Sequence, residues 1–229
     1  MEWEVIIKWL PKFIQGAILT LELVSIAVIL GLILAIPLGI ARSSRHLSVR
    51  ALPYAYIFFF RGTPLLVQLF LVYYGLAQFE SIRSSFMWTY LRDPFWCATA
   101  TMTLHTAAYI AEILRGAIQA IPPGEIEAAR ALGMSRPKTL FYIILPRAAR
   151  IGLPAYSNEV ILMLKASSLA STVTLLELTG MARTIIARNY LTVEMFFTAG
   201  VFYLLISYLL VRGFKLLERW LRVDACQGR

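Results

Sequence analysis

Five runs of mostly apolar residues dominate this chain, at 17–41, 53–78, 95–118, 154–176 and 195–217. About 20 such residues suffice to carry a helix across a hydrocarbon core. The runs are continuous rather than alternating, and too long for the strands of a barrel. Composition agrees: 59% of the 229 residues are hydrophobic and 15% charged, where a soluble domain has roughly half and a quarter. The expected fold is therefore an all-α integral membrane protein of about five transmembrane helices, forming one domain over 1–229. The fourth run is the most polar, since it carries Asn158, Glu159 and Lys165.

The first apolar run is too long for the core of a cleavable signal. The preceding MEWEVIIKWLPKFIQG is amphipathic, and residues 2–15 read as an interfacial helix with Trp3 and Trp9 at headgroup level. Cys97 and Cys226 are the only cysteines, which leaves neither a disulfide framework nor a metal spacing.

Basic residues set the expected orientation. Segments 42–52, 119–153 and 212–229 hold thirteen Lys/Arg, among them Arg42, Arg45, Arg222 and Arg229. The alternate segments hold six: Lys8, Lys12, Arg83, Arg92, Arg183 and Arg188. The positive-inside rule then places the N-terminus outside and the C-terminus in the cytoplasm. The net charge of +9 is accounted for by anionic lipid at the inner face, with no need of nucleic acid.

Residues 119–153 stand out as a charged cytoplasmic insert. IEAARALG is built of helix formers, with Glu125 and Glu127 toward its start and Arg130 behind. Gly133 suits its C-terminal stop. Ser135 is positioned to cap a second helix that tolerates Pro137 in its first turn and ends near Pro146. A small helix-turn-helix knob follows, too small to form its own core.

The order of residues in the knob is specific. Glu127-Ala128-Ala129, three residues, Gly133, nine residues, then Ile143-x-Leu145-Pro146 resembles, without a gap, the EAA signature of ATP-binding-cassette (ABC) importer permeases. FRGTPLLVQLFLVYYG (60–75), TAAYIAEILRGAI (106–118) and LPAYSNEVILMLKASSLAST (153–172) are similar to the polar amino acid branch of that family. Within it they resemble the M-type permease subunits of histidine/lysine/arginine/ornithine and octopine/nopaline importers. Where the branch commonly reads Lys-Asp-Thr-Ser-Leu, this chain has Lys165-Ala166-Ser167-Ser168-Leu169.

The resemblance implies a type I ABC importer fold in a bacterial inner membrane. It also implies a non-catalytic transport subunit that docks the knob into separate ATPase subunits. Glu127, Ala128, Ala129, Gly133, Leu145 and Pro146 would make the coupling contact, the alanines allowing close approach. ATP and Mg would sit on the partner ATPase, and no cofactor is expected on this chain, which lacks GxxxxGK(S/T). The other implied partners are a second permease, expected to be a distinct Q-type chain, and a periplasmic substrate-binding protein. The cargo would be a polar, basic amino acid or an arginine-derived opine.

Charges at membrane depth usually face protein or a watery cavity. Glu112 and Arg115 stand three apart on one helix, where they either neutralise each other or serve the substrate. Asn158, Leu162 and Lys165 share a helical face, with Glu159 beside them and Ser167 and Ser168 further along. That stripe either lines a translocation path or joins two permease subunits. Arg61-Gly62-Thr63-Pro64 marks a kink with Arg61 reaching inward. His105 reads as a neutral interior residue without a second metal ligand nearby. A stand-alone secondary transporter would show internal repeats, and none is evident; a membrane enzyme would need a catalytic constellation, and none is present.

Overall fold

In the computed structural model, residues 3–44 and 46–221 are described, without the side chain of Trp3. The readings that fall on Arg45, Arg222, Arg229, Cys226 and the Trp3 side chain lie outside the described residues. No strand occurs among the described residues.

Helix α1 runs from Trp3 to Arg42, 40 residues without interruption, or about 60 Å at 1.5 Å per residue. The expected separate interfacial helix over residues 2–15 is thus corrected: the segment continues into the first span through Pro11. Packing supports its first turns. Phe13 and Ala17 are buried against Leu178, Met181 and Met195, with Val5, Ile6 and Trp9 alongside. That length is about twice the hydrocarbon thickness, so α1 extends past it at any ordinary tilt.

Further along α1, Gly31, Ala35 and Gly39 recur every fourth residue and face α6 (Pro94–Gln119). A Cβ on Gly39 would stand 2.9 Å from the Ala111 carbonyl oxygen, and one on Gly31 would meet Thr106. Small residues at this spacing let two helix backbones approach closely in a membrane. Ala107, Ala108 and Ala111 supply the matching small face of α6. The two helices therefore run parallel, with their C-terminal ends together.

Helix α2 (Leu47–Gly62) is separated from α3 (Leu65–Phe70) by Thr63 and Pro64. A proline pushes its predecessor out of the helical region, and Thr63 is extended at φ −115, ψ 143. The chain continues through a π turn at Leu71–Gly75 and a 3-10 turn at Leu76–Gln78, then the short helices α4 (Glu80–Arg83) and α5 (Trp88–Leu91). Asp93 caps α6 by accepting from the Phe95 N–H at 2.8 Å.

After α6 come the knob helices α7 (Pro123–Ala131) and α8 (Arg136–Thr139), then α9 (Leu145–Ala166). A 3-10 segment (Ser167–Val173) and a left-handed Thr174 lead to α10 (Leu178–Asn189) and α11 (Thr192–Trp220). By length and composition α1 and α11 are apolar enough to cross a membrane. Two bent pairs raise that number to four: Leu47–Gly62 with Leu65–Gln78, at 102°, and Arg136–Val173 with Leu178–Asn189, at 46°. The remaining expected span, α6, is 26 residues long but less apolar. Its position explains this, because twelve of those residues are buried, four of them threonines. Thr99 and Thr101 bond back to the carbonyls of Phe95 and Cys97, which satisfies them inside the bundle.

Candidate functional site

The knob is closed by a glycine in the role expected for it. Gly133 has φ +77, a conformation that L side chains resist. Its N–H donates to the Arg130 carbonyl at 2.9 Å, and the Met134 N–H donates to the Ala129 carbonyl at 3.0 Å. This pair of bonds is the Schellman closure of a helix C-terminus. Beneath it Ala117, Ile121 and Ala148 form a small cluster with Ile126 and Ile144, so α7 rests on the ends of α6 and α9. Glu125 pairs with Arg147 at 3.3 Å, tying α7 to the start of α9.

Two expectations for the knob are corrected. The second helix does not end near Pro146. A π turn over Leu140–Ile144 widens the ladder, and Pro146 then sits in the first turn of α9, where its missing N–H is not needed. Ser135 occupies the N-cap position of α8 but its hydroxyl makes no cap bond; its carbonyl accepts from the Thr139 hydroxyl at 3.1 Å instead.

The exposed surface of the knob carries Glu127, Ala128, Gly133 and the large apolar residues Leu132, Phe141 and Tyr142. Ala129 is buried, so of the two alanines only Ala128 is exposed. Leu145 is half-buried beside Ala148 and Leu114, and Pro146 is exposed. Leu132, Phe141 and Tyr142 are thus three bulky apolar side chains left open on the knob.

On α6, Glu112 accepts from Arg115 Nε at 2.7 Å, and Arg115 Nη1 reaches Gln119 Oε1 at 2.5 Å. Along the helix the pair is joined through Oε1 of Glu112 alone. Glu159 points into the bundle and accepts from the Thr106 hydroxyl at 3.2 Å. Asn158, Leu162 and Lys165 share the exposed face of α9, as their spacing requires. The Ser167 and Ser168 hydroxyls bond back to the Leu164 and Lys165 carbonyls, at 2.7 and 2.8 Å, and make no bond to Glu159. Arg61 stays exposed rather than reaching into the interior, with its guanidinium laid over the Tyr109 ring, 5.1 Å from its centre.

One residue absent from the sequence reading organises this region. Gln68 shares the two N–H groups of its Nε2 among three acceptors, the Phe60 carbonyl (2.9 Å), the Thr63 carbonyl (3.1 Å) and Thr63 Oγ1 (2.7 Å). It thereby satisfies carbonyls freed by the break at Pro64. Its Oε1 lies 3.0 Å from His105 Nδ1, so the broken span is pinned to α6. His105 is therefore an interior, hydrogen-bonded residue, and no group of three metal-ligating side chains exists among the described residues. The available signal was a lone glutamine in the apolar run LLVQLF, on the far side of a Thr-Pro break.

Comparisons with known proteins extend over nearly the whole chain. The family model described as binding-protein-dependent transport system inner membrane component matches residues 7–223. An octopine transport system permease protein of Rhizobium radiobacter is 50% identical over 205 residues, covering 90% of this chain and 84% of the relative. A histidine/lysine/arginine/ornithine transport system permease protein of Escherichia coli is 44% identical over 209 residues, covering 90% and 88%. A crystal structure of an amino acid ABC transporter with histidines superposes with a TM-score of 0.84 at 33% identity, over 96% of this chain and 98% of that one. An inward-facing MetNI methionine ABC transporter shares the fold, with a TM-score of 0.80 at 19% identity over 93% and 98%.

Proposed function

The chain belongs to the family of binding-protein-dependent transport system inner membrane components, and from that premise we propose how it works as a permease subunit of an ABC importer of amino acids. It is a non-catalytic inner-membrane subunit, and hydrolysis belongs to a separate ATPase. The knob at Glu127–Gly133 docks on that ATPase, which holds the ATP and its Mg ion, and it transmits closure of the ATPase to α6 and α9. The observation that carries this reading is the Schellman turn at Gly133 with Ala128, Leu132, Phe141 and Tyr142 exposed around it.

A second permease, a distinct Q-type chain, pairs with this one. The exposed Asn158, Leu162 and Lys165 of α9 face the path or the partner between them. A periplasmic binding protein delivers the cargo, a basic amino acid or an arginine-derived opine. The names of the relatives support that choice, as do Glu112 and Glu159 at membrane depth.

Two experiments test the reading. Membrane vesicles carrying the chain with its second permease, ATPase and binding protein should take up arginine, ornithine or octopine only with ATP. Uptake of acidic or neutral amino acids alone would reject the cargo, and uptake by this chain alone without ATP would favour a secondary carrier. For orientation, alkaline phosphatase should be active when fused after residue 85 or 188, and silent after 48, 135 or 225. The reverse pattern would refute an external N-terminus.

A further inference from the structure

A cavity of about 320 Å³ lies between the end of α1, α2 and α6, lined by Arg42, Tyr54, Arg61, Gly62, Tyr109 and Glu112 among others. This is at the lower end of the size range for small-molecule sites. It stands apart from Glu159: Glu112 is six residues beyond Thr106 along α6, about 9 Å toward the knob at 1.5 Å per residue.

Its charges are incompletely matched. Glu112 Oε1 is taken by Arg115, but Glu112 Oε2 is buried with no hydrogen-bond partner. Arg42 Nε is likewise buried and unpartnered. Neither Arg42 nor Arg61 makes an ion pair among the described residues. Each guanidinium is instead laid over an aromatic ring, Arg42 on Tyr54 at 4.9 Å and Arg61 on Tyr109 at 5.1 Å. Stacking of this kind fixes the plane of the fork and leaves its N–H groups to an acceptor. Buried polar atoms without partners are costly and rare in native structures.

We infer that this cavity binds the α-ammonium and α-carboxylate of an amino acid on the knob side of Glu159, as an exit subsite. The carboxylate meets the two arginines and the ammonium meets Glu112 Oε2. This inference rests on the reading of the chain as an amino acid permease subunit. A zwitterionic lipid headgroup offers the same pairing of charges, so the test separates the two sources.

Gly62→Cys places a reporter thiol in the cavity, and a Cβ there meets nothing within 4 Å; Phe58→Cys, at an exposed lining position, is a second reporter. Both are made in the full complex, with Cys97 and Cys226 replaced, in inside-out vesicles of phosphatidylglycerol and cardiolipin, which carry no cationic headgroup. L-Arginine at roughly ten times its dissociation constant should slow maleimide labelling about tenfold, by simple occupancy. Agmatine, which is arginine without its carboxylate, should not. Adding Arg42→Gln or Glu112→Gln should abolish the protection. Equal protection by agmatine, no protection by arginine, or protection by added phosphatidylethanolamine alone would each overturn the inference. ATP-driven uptake by the unsubstituted complex is read in parallel. Uptake without cavity protection sinks only the exit subsite, whereas no uptake of any amino acid sinks the permease reading.

Discussion

Gly133→Asp should abolish ATP-driven uptake while leaving the chain in the membrane at normal abundance. The substitution strains the turn, since φ is +77, but an L side chain there costs only about 1 kcal/mol. Nothing of this chain lies within 4 Å of the added Cβ, so the fold itself does not reject it. A full carboxylate is instead placed on the exposed turn that follows Leu132, where docking needs a close, uncharged approach. A charge desolvated there without a partner costs enough to weaken docking at least about tenfold, the equivalent of 1.4 kcal/mol.

Two alanines provide the control. Ala128→Trp acts by bulk on the exposed face and should also uncouple. Ala129→Trp forces a large ring beneath the knob, where Ala129 is 4% exposed, and should lower abundance instead. Co-purification of the ATPase, uptake and membrane level separate the two effects. Full uptake by both Gly133→Asp and Ala128→Trp would show that the knob does not couple.

The contrast between those alanines also shows what the sequence discloses. The positions of the spans are legible because hydropathy acts locally and each run is continuous. Gly133 is legible because a helix stop at positive φ strongly favours one residue type, and Glu112 with Arg115 because three residues on a helix make neighbours. The inward turn of Ala129 follows only from where α7 lands on α6 and α9. The continuity of α1 through Pro11 depends on α10 and α11 packing against Phe13 and Ala17, and a proline alone argues the other way. Gln68 finds His105 thirty-seven positions away. Such polar pairs carry no periodic signal, so burial and partner become visible only together.

Glu177 belongs to that hidden class and carries the largest expected effect on stability. In sequence it is one acid in a connection between spans; in the fold its residue is fully buried. Its carboxylate accepts from the Thr179 N–H at 3.0 Å and the Gly180 N–H at 2.8 Å, capping α10. The Tyr203 hydroxyl of α11 donates to it at 2.8 Å. The neighbouring Leu178 N–H donates to Thr20 Oγ1 of α1 at 3.1 Å, so α10 is fastened at its first turn to both long helices. Glu177→Ala leaves two N–H groups without an acceptor, leaves the Tyr203 hydroxyl only Thr179 Oγ1 at 3.1 Å, and opens a void, at a combined cost of about 3–5 kcal/mol. At roughly 2–4 °C per kcal/mol for a chain of this size, the midpoint of thermal unfolding of the detergent-solubilised complex should fall by about 10 °C. Tyr203→Phe removes one donor and keeps the cap, so its loss should be near 1 kcal/mol. Glu177→Gln keeps one acceptor oxygen and should fall between the two. Fluorescence-detected size exclusion after heating gives the ranking, and an Ala variant as stable as the Phe variant would mean that the cap does not hold α10 in place.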